Sequence, residues 1–293
     1  MTSDLITAAS ARLVAELSDA GYAVVREALP SRHLQQIEAE LEPAFAATPF
    51  ASGDFYGNRT KRFGSLLRRS PAMAGLILEP VILGAARTLL GKACDCIQLN
   101  LAQAIEIHPG ELRQFPHRDE DMWPGAKGDH EYLINVMWPL TPFTFENGGT
   151  QIYPESHHGG SGHGKDAFGV PIVPECGPGS ALCFLGSTAH GAGANVTSTV
   201  RRGILVSFSL GWLKPYENSW LAYPPEIARS FPPDLAALAG YTQHRPNLGN
   251  YEGQCPSVLL QDEIPAHIGA VDALRDDQAE LVAAFAQAER HVA

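Results

Sequence analysis

The stretch QFPHRD at residues 114–119 carries the first chemical signal of the sequence. Side chains two positions apart in a β-strand point to the same side. His117 and Asp119 can therefore present an imidazole and a carboxylate to one point, with Arg118 turned away. Because this pair alone also fits an ordinary hydrogen bond between histidine and aspartate, a metal site requires a further ligand.

His190 is the candidate for that ligand. It lies in the glycine-rich stretch STAHGAG at 187–193, which we interpret as a turn between two strand-like runs. Two histidines and one carboxylate on one face of an octahedron leave three positions open, as in non-haem Fe(II) oxygenases. Arg201 then opens the stretch RRGILVSF at 201–208, where an inward arginine can hold a carboxylate with its fork of donors. Strand alternation puts either Arg201 or its neighbour Arg202 inside.

Short β-prone runs surround these candidates and are separated by Gly and Pro. Such regular punctuation predicts a β-sandwich or a closed β architecture. The predicted runs cover residues 97–107, 132–140, 149–153, 171–173, 180–184 and 203–212. Before them the chain is mainly helical: residues Leu34, Ile37, Leu41 and Phe45 recur at the spacing of one helical face, and residues 71–90 predict a further helix.

Composition excludes several classes of protein. The 293 residues include 21 Lys+Arg and 32 Asp+Glu, a net charge of −11, which argues against broad electrostatic binding to nucleic acid or anionic membranes. We find no apolar run of transmembrane length and no signal-peptide pattern at the start. Five cysteines are an odd number in a long chain, so we expect free thiols and a cytoplasmic location.

Four stretches together resemble one known family. They are PHRD at 116–119, WPLTPFTFENGGT at 138–150, PESH at 154–157, and HGAGAN at 190–195 leading to Arg201. The sequence is similar to the phytanoyl-CoA dioxygenase branch of the Fe(II)/2-oxoglutarate dioxygenases over roughly residues 20–250. Glu155 stands where the family usually has glycine, a change that we expect to matter little for metal binding.

The resemblance implies a mainly β fold, a double-stranded β-helix or jelly roll with flanking helices. It implies one dioxygenase domain over 1–293, with a mainly helical flank at 1–92, the jelly-roll core and metal site at 93–215, and a wrap-around segment and helix at 216–293. Fe(II) would be held by His117, Asp119 and His190, and the distal carboxylate of 2-oxoglutarate by Arg201. Further polar candidates for the co-substrate, chosen by strand position, are Gln103, Asn135 and Thr150.

The implied reaction consumes O₂, releases succinate and CO₂, and oxidises a small or medium organic molecule by hydroxylation or a related C–H oxidation. Ascorbate would serve as the reductant in assays. Related halogenases have a small residue in place of the carboxylate ligand, so Asp119 predicts oxygenation rather than chlorination. Trp123 and Trp212 are candidates for lining the substrate pocket, with a core or rim position as the alternative. The basic cluster between Arg59 and Arg69 fits either an anionic substrate or a solvated loop.

Three alternatives stay open at this point. The chain could be a non-catalytic jelly-roll protein for binding or sensing, or a cupin-type metalloenzyme that does not use 2-oxoglutarate. His157, His158 and His163 could bind zinc, although a flexible loop explains them as well. A homodimer is plausible because C-terminal segments of relatives often reach a neighbouring subunit, and residues 271–292 could do so here.

Overall fold

Most of the predicted β-runs form one antiparallel sheet in the computed structural model, which describes residues 2–159 and 168–292. The strands are β1 Tyr22–Val25, β2 Thr60–Phe63, β3 Ile97–Ile107, β4 Leu133–Pro139, β5 Thr150–Ile152, β6 Ala181–Leu185, β7 His190–Ala192 and β8 Arg201–Leu210. Within the described residues the sheet has six strands in the order β1-β6-β4-β8-β3-β2, and β5 pairs with β7 in a second sheet. The expected jelly-roll core with flanking helices is confirmed.

The central strands of the large sheet carry the polar candidates. Strand β3 pairs with β8 from Ile97 opposite Leu210 to Ile107 opposite Arg201, with a bulge between Leu99 and Leu101. Strand β4 lies on the other side of β8 and is buried along its whole length. Both faces of such a strand must be covered.

Helices cover one face of the large sheet. The helices are α1 Ser3–Ala20, α2 Ser31–Ala47, α3 Leu66–Arg69, α4 Met73–Ile77, α5 Pro80–Leu90, α6 Ser219–Ala222, α7 Pro225–Ala228, α8 Pro233–Leu238 and α9 Asp276–Val292. Helix α1 packs against α5 and β1, and the four apolar residues predicted to share one face of α2 are all buried. The opposite face of the sheet forms a smaller apolar cluster around Met137, Phe184 and Leu205.

Several predicted boundaries differ from the structure. The single helix expected over 71–90 is two helices, because Pro80 starts α5 at a position where its missing N–H costs nothing. Strand β2 lies in the basic segment for which the sequence offered a solvated loop, and residues 171–173 contribute only a bridge between Ile172 and Ile152. Helix α9, the helix expected in the C-terminal segment, begins at Asp276.

The N-terminal flank therefore supplies two strands, β1 and β2, to the edges of the sheet. The division into segments 1–92, 93–215 and 216–293 stays a prediction. All five cysteines are free. Among the described residues, no helix is both long and apolar enough to cross a membrane.

Candidate metal centre

Three side chains that are distant in sequence converge on one point. One ligand atom from each of His117, Asp119 and His190 lies within 4.8 Å of the others. Nε2 of His117 is 3.3 Å from Oδ1 of Asp119, and Nε2 of His190 is 3.6 Å from its Oδ2. Two imidazole nitrogens and one carboxylate therefore point at the same small volume, as the sequence predicted.

Backbone pairing brings the two histidines together. His117 and His190 face each other in an antiparallel bridge, with N–H···O distances of 3.0 and 2.9 Å in the two directions. Asp119 starts a short 3₁₀ turn, Asp119–Met122, so the predicted strand does not continue through it. Arg118, between His117 and Asp119, has an extended backbone, and its guanidinium points away from the two ligands and donates to the carbonyls of Ser187 and Ser156. The alternation of side chains expected for this stretch is therefore present.

Both histidine rings are oriented for metal binding by backbone carbonyls. Nδ1 of His117 donates to the carbonyl of Phe115 at 2.9 Å, and Nδ1 of His190 donates to the carbonyl of Thr188 at 3.1 Å. A proton on Nδ1 leaves the lone pair on Nε2, and hydrogen bonds of this kind fix the tautomer of metal-binding histidines. Each Nε2 faces the common point.

The protonation states also suit a divalent cation. Burial lowers the pKa of His190 to about 4, so its ring is neutral at pH 7. Burial would raise the pKa of the Asp119 carboxyl, but His190, His117 and the amide of Asn135 hold it well below its usual range. Burial acts to lower the pKa of His117, but the hydrogen bond to Asp119 and the charge of that carboxylate raise it. Metal ligands are neutral imidazoles and ionised carboxylates, so His190 and Asp119 suit the iron that the resemblance implies as they stand, and His117 would release its proton when the ion binds.

Arg201 lies in the same pocket as a buried cation. It is 1% exposed, packs its guanidinium 3.5 Å from the centre of the Phe143 ring, and donates to Oγ1 of Thr150 at 3.3 Å. Within the described part of the chain its Nε has no partner. Burial and the nearby Arg62 lower the pKa of Arg201 to about 9. A buried charge without a counter-ion is unfavourable, so the position fits the carboxylate of a bound acid.

The neighbouring arginine has a different environment. Arg202 points out of the pocket and pairs with Glu106 at 2.7 Å, and with Glu38 and Glu42. Of the two arginines that alternation left open, Arg201 is thus the inward one. Gln103, Asn135 and Thr150 line the pocket with it, so all four residues predicted for the co-substrate lie around one cavity.

Arg62 is a second pocket cation whose position the sequence did not reveal. Its Nη1 donates to Oε1 of Gln103 at 3.2 Å, and its guanidinium lies 5.3 Å from the centre of the Tyr56 ring. Its buried Nε has no partner among the described residues. Burial lowers the pKa of Arg62, although Tyr216, Tyr56 and Asp119 oppose the effect. The basic cluster noted in the sequence therefore contributes at least one charge to the site.

Aromatic residues form the mouth of the pocket. The hydroxyls of Tyr56 and Tyr216 are 2.6 Å apart, and the ring of Phe55 lies edge-on to His117 at 4.9 Å. Gln114 also lines the pocket, and its side chain bonds to the carbonyl of Phe55 and the N–H of Ala192. Gln114 lies in the QFPHRD stretch, but nothing in the sequence marked the two tyrosines.

Neither of the two tryptophans predicted for the substrate pocket lines the pocket around the metal ligands. Trp123 is buried, and its indole N–H donates to the carbonyl of Lys214 at 2.9 Å, so it belongs to the core and not to the pocket around the metal ligands. Trp212 lines a different cavity. His157 binds the carbonyl of Ser18 at 3.1 Å, and the proposed zinc ligand His163 lies outside the described residues.

Comparison with known sequences identifies one family. The sequence model of the family "Phytanoyl-CoA dioxygenase" matches residues 17–203. The chain is 31% identical to the dioxygenase aneA of Aspergillus aculeatus over 238 residues, which are 76% of this chain and 79% of that protein. It is also 31% identical to the dioxygenase cdmD of Talaromyces verruculosus over 195 residues, covering 63% of this chain and 62% of that protein.

A solved structure shares the fold. It is the epimerase SnoN in complex with Fe³⁺, alpha ketoglutarate and nogalamycin RO, with a TM-score of 0.59 and 20% sequence identity. The match covers 73% of this chain and 89% of that one. At this level of identity the similarity concerns the fold alone.

Proposed function

We propose, from the premise that the chain belongs to the phytanoyl-CoA dioxygenase family, that the pocket around His117, Asp119 and His190 is its active site. The chain is an Fe(II)- and 2-oxoglutarate-dependent dioxygenase, an oxidoreductase that oxidises a small or medium organic molecule with succinate and CO₂ as co-products. The observation that carries the assignment of the site is the convergence of two Nε2 atoms and one carboxylate beside a buried arginine.

His117, Asp119 and His190 would hold the iron through Nε2, a carboxylate oxygen and Nε2. Iron bound there would supply the redox chemistry that couples decarboxylation of 2-oxoglutarate to oxidation of the substrate. The carbonyls of Phe115 and Thr188 keep both imidazoles in the metal-binding tautomer. Asn135 donates to the carboxylate of Asp119 and so orients it.

Arg201 would bind the distal carboxylate of 2-oxoglutarate. Its guanidinium is already fixed against Phe143 and Thr150, so little side-chain entropy is lost when the acid binds. Gln103, Asn135 and Thr150 offer hydrogen bonds along the same wall. A non-catalytic binding protein or a cupin-type enzyme independent of 2-oxoglutarate gives no reason for this buried cation, so the family assignment and the pocket favour the dioxygenase.

The position of Arg62 favours a substrate that carries an anionic group. It lies on the mouth side of the pocket with Tyr56 and Tyr216, and it is bonded to Gln103 rather than to a carboxylate. A guanidinium without an acidic partner binds a carboxylate strongly in a water-poor site. We therefore favour a free acid or another anionic small molecule, such as a secondary metabolite or its precursor, as the substrate.

Location and assembly are also part of this proposal. Five free cysteines suit the reducing cytoplasm. Helix α9 exposes Leu281 and Phe285 by 72% and 68%, an apolar surface that contact with a second copy of the chain would cover. We propose a cytoplasmic enzyme that acts on a small molecule, with a homodimer through the C-terminal segment. Sedimentation of the full chain against a Leu281→Glu variant tests the dimer.

The reaction class is tested without knowledge of the substrate. Purified chain with Fe(II), 2-oxoglutarate and ascorbate in air should form succinate slowly in the uncoupled reaction. His117→Ala and Asp119→Ala should lose both the bound iron and the succinate, because each removes a ligand. His158→Ala, an exposed histidine away from the triad, is the control. Iron binding that survives unchanged in the first two variants would contradict the assignment.

A further inference from the structure

The pocket around the metal ligands has little free space. Its free volume is about 80 Å³, and a water molecule needs about 10–15 Å³ of such space. 2-Oxoglutarate held between the triad and Arg201 would occupy most of this volume. This inference rests on the proposed function. In that reaction the reacting carbon of the substrate must lie near the mouth of the pocket, and the rest of the substrate must extend beyond the mouth.

A larger cavity lies next to that mouth. It has a volume of about 590 Å³ and opens between the segment after β8 and the turn after α8. Its walls include Trp212, Trp220, Leu238 and Leu248. We call it the tryptophan-walled cavity. A volume of this size accommodates a drug-sized molecule.

Both tryptophans are held in place with their polar atoms satisfied. The indole N–H of Trp212 donates to the carbonyl of Ala93 at 3.0 Å, and that of Trp220 donates to the carbonyl of Gly240 at 3.1 Å. Gly240 has φ +98°, and a Cβ there would lie 2.8 Å from Nε1 of Trp220. Trp220 is nevertheless 50% exposed. Rigid, exposed indole faces are suited to stacking with a flat ring.

The charge of the cavity has one sign. Lys214 lines it, and no acidic residue is among the described residues that line it. The main chain of Lys214 is fixed because its carbonyl accepts the indole N–H of Trp123. A ligand with an acidic group is therefore favoured over a neutral or basic one of the same shape.

Tyr216 connects this cavity to the active site. It lines both the pocket around the metal ligands and the tryptophan-walled cavity, and it is 45% exposed. Its N–H donates to Oδ1 of Asn100 at 2.8 Å, and its hydroxyl lies 2.6 Å from that of Tyr56. A ligand that passes over this one side chain reaches both spaces.

We propose that the tryptophan-walled cavity binds the distal part of the substrate, a flat apolar ring system whose acidic group pairs with Lys214 and is separate from the anionic group proposed to bind Arg62. The substrate is then an extended molecule: one end lies beside the metal ligands, and its ring system lies between Trp212 and Trp220. A second cavity of about 410 Å³ beside Leu112, whose lining includes Arg62 and Gln114, also adjoins the active site, and the experiment distinguishes the two positions.

Two acids that differ in their ring system are the probes. Anthracene-2-carboxylate and benzoate are titrated calorimetrically into the chain loaded anaerobically with Fe(II) and 2-oxoglutarate. The wild type should bind the three-ring acid at least ~10-fold more tightly than benzoate, since the larger ring system stacks over more of an indole face and buries more apolar surface. Trp220→Ala should reduce this preference to less than ~3-fold, and Trp220→Phe should keep most of it.

Leu221→Ala is the matched control for Trp220→Ala, because Leu221 follows Trp220 in sequence, is 78% exposed and is not part of the cavity wall. It should keep the wild-type preference. Lys214→Met should weaken both acids and leave their ratio unchanged. A Trp220→Ala chain with the full ring preference overturns the proposal, as does a preference that is lost in Leu112→Ala instead.

A rate measurement ties the cavity to the substrate. Anthracene-2-carboxylate should change the rate of uncoupled succinate formation in the wild type, with a midpoint at its calorimetric Kd, and the rate in Trp220→Ala should not respond at that concentration. If bound anthracene-2-carboxylate leaves the rate of succinate formation by the wild type unchanged, that result contradicts only this inference. A wild type that forms no succinate under any condition contradicts the proposed function instead.

Discussion

Asn135 donates its side-chain amide to Oδ2 of Asp119 over 2.9 Å. The same oxygen lies 3.6 Å from Nε2 of His190, while Oδ1 lies 3.3 Å from Nε2 of His117. Asn135 is fully buried on β4, so a rigid strand controls the rotation of a carboxylate that stands on a short turn. Hydrogen-bond partners of this kind orient metal ligands and tune their affinity.

Asn135→Ala should therefore weaken iron binding by about 10- to 100-fold. Competition of the Fe(II)-loaded chain with a chelator measures the affinity, and a thermal unfolding curve checks that the variant folds. Asn247→Ala, an exposed asparagine in the C-terminal segment, should leave the affinity unchanged. Wild-type affinity in folded Asn135→Ala would show that Asp119 does not need this partner.

Arg201 and Arg202 are a natural pair for testing co-substrate binding. Arg201→Met should raise KM for 2-oxoglutarate by about 100-fold or more, because it removes a desolvated, charge-assisted contact. Arg202→Lys changes an arginine that pairs with glutamates outside the pocket, so its KM should stay within about 2-fold. Steady-state succinate formation gives both values. Equal KM shifts in the two variants would contradict the assignment of Arg201.

Arg62→Met should raise the stability of the folded chain and weaken the binding of an anionic substrate. The Arg62 side chain is half-buried, and its buried Nε has no partner among the described residues; replacing buried charged groups with hydrophobic side chains of similar volume is often stabilising by about 1–4 kcal/mol. We expect Tm to rise by roughly 2–8 °C. The exposed Arg59→Met should change it little. A lower Tm in Arg62→Met would mean that the cation is well compensated in the folded chain.

Glu131 should make stability depend on pH. Burial raises its pKa to about 7 from the usual 4.5; the bonds from Ser187 oppose this shift and Glu120 adds to it. Between pH 4.5 and 7 the folded chain keeps a proton that the unfolded chain has lost, so the free energy of unfolding falls as pH rises through this window. Above pH 7 Glu131 is ionised in both states, and its effect on the free energy of unfolding is complete.

Glu131→Gln should remove the effect, because glutamine stays neutral and can still accept from the hydroxyl of Ser187. The variant should be more stable than the wild type at pH 8, by about 3 kcal/mol at most, and nearly equal to it at pH 5. Urea denaturation at both pH values measures the difference, with the exposed Glu146→Gln as the control. A constant difference at the two pH values would refute the role of Glu131 in this dependence.

The strongest periodic patterns were predictable from sequence. Strand β3 has the predicted bounds, the buried face of α2 follows its apolar spacing, and the three ligand residues meet as their chemistry suggested. These patterns can be recognised without knowledge of tertiary contacts. Apolar residues recur every 2 residues in a strand and every 3.6 in a helix, and histidines paired with a carboxylate have few roles besides metal binding and hydrogen bonding.

The missed elements depend on contacts that are distant in sequence. Strand β2 is hidden because Lys61 and Arg62 occupy it, one paired with Glu106 and the other turned to the pocket, so no apolar alternation is visible. Strand β7 contains Gly191 and forms through its pairing with β5 and through the bridge between His190 and His117. Trp123 follows Asp119 closely in sequence, but the 3₁₀ turn between them carries it away from the pocket.

The two histidines are joined by their own backbone bridge, whereas Asp119 stands on a separate turn. The scaffold that holds the imidazoles therefore does not depend on the side chain at position 119. Mutation at this position can alter the third ligand while the pair of rings keeps its arrangement. One substitution at position 119 therefore changes the set of donor atoms and leaves the β-bridge between the two histidines in place.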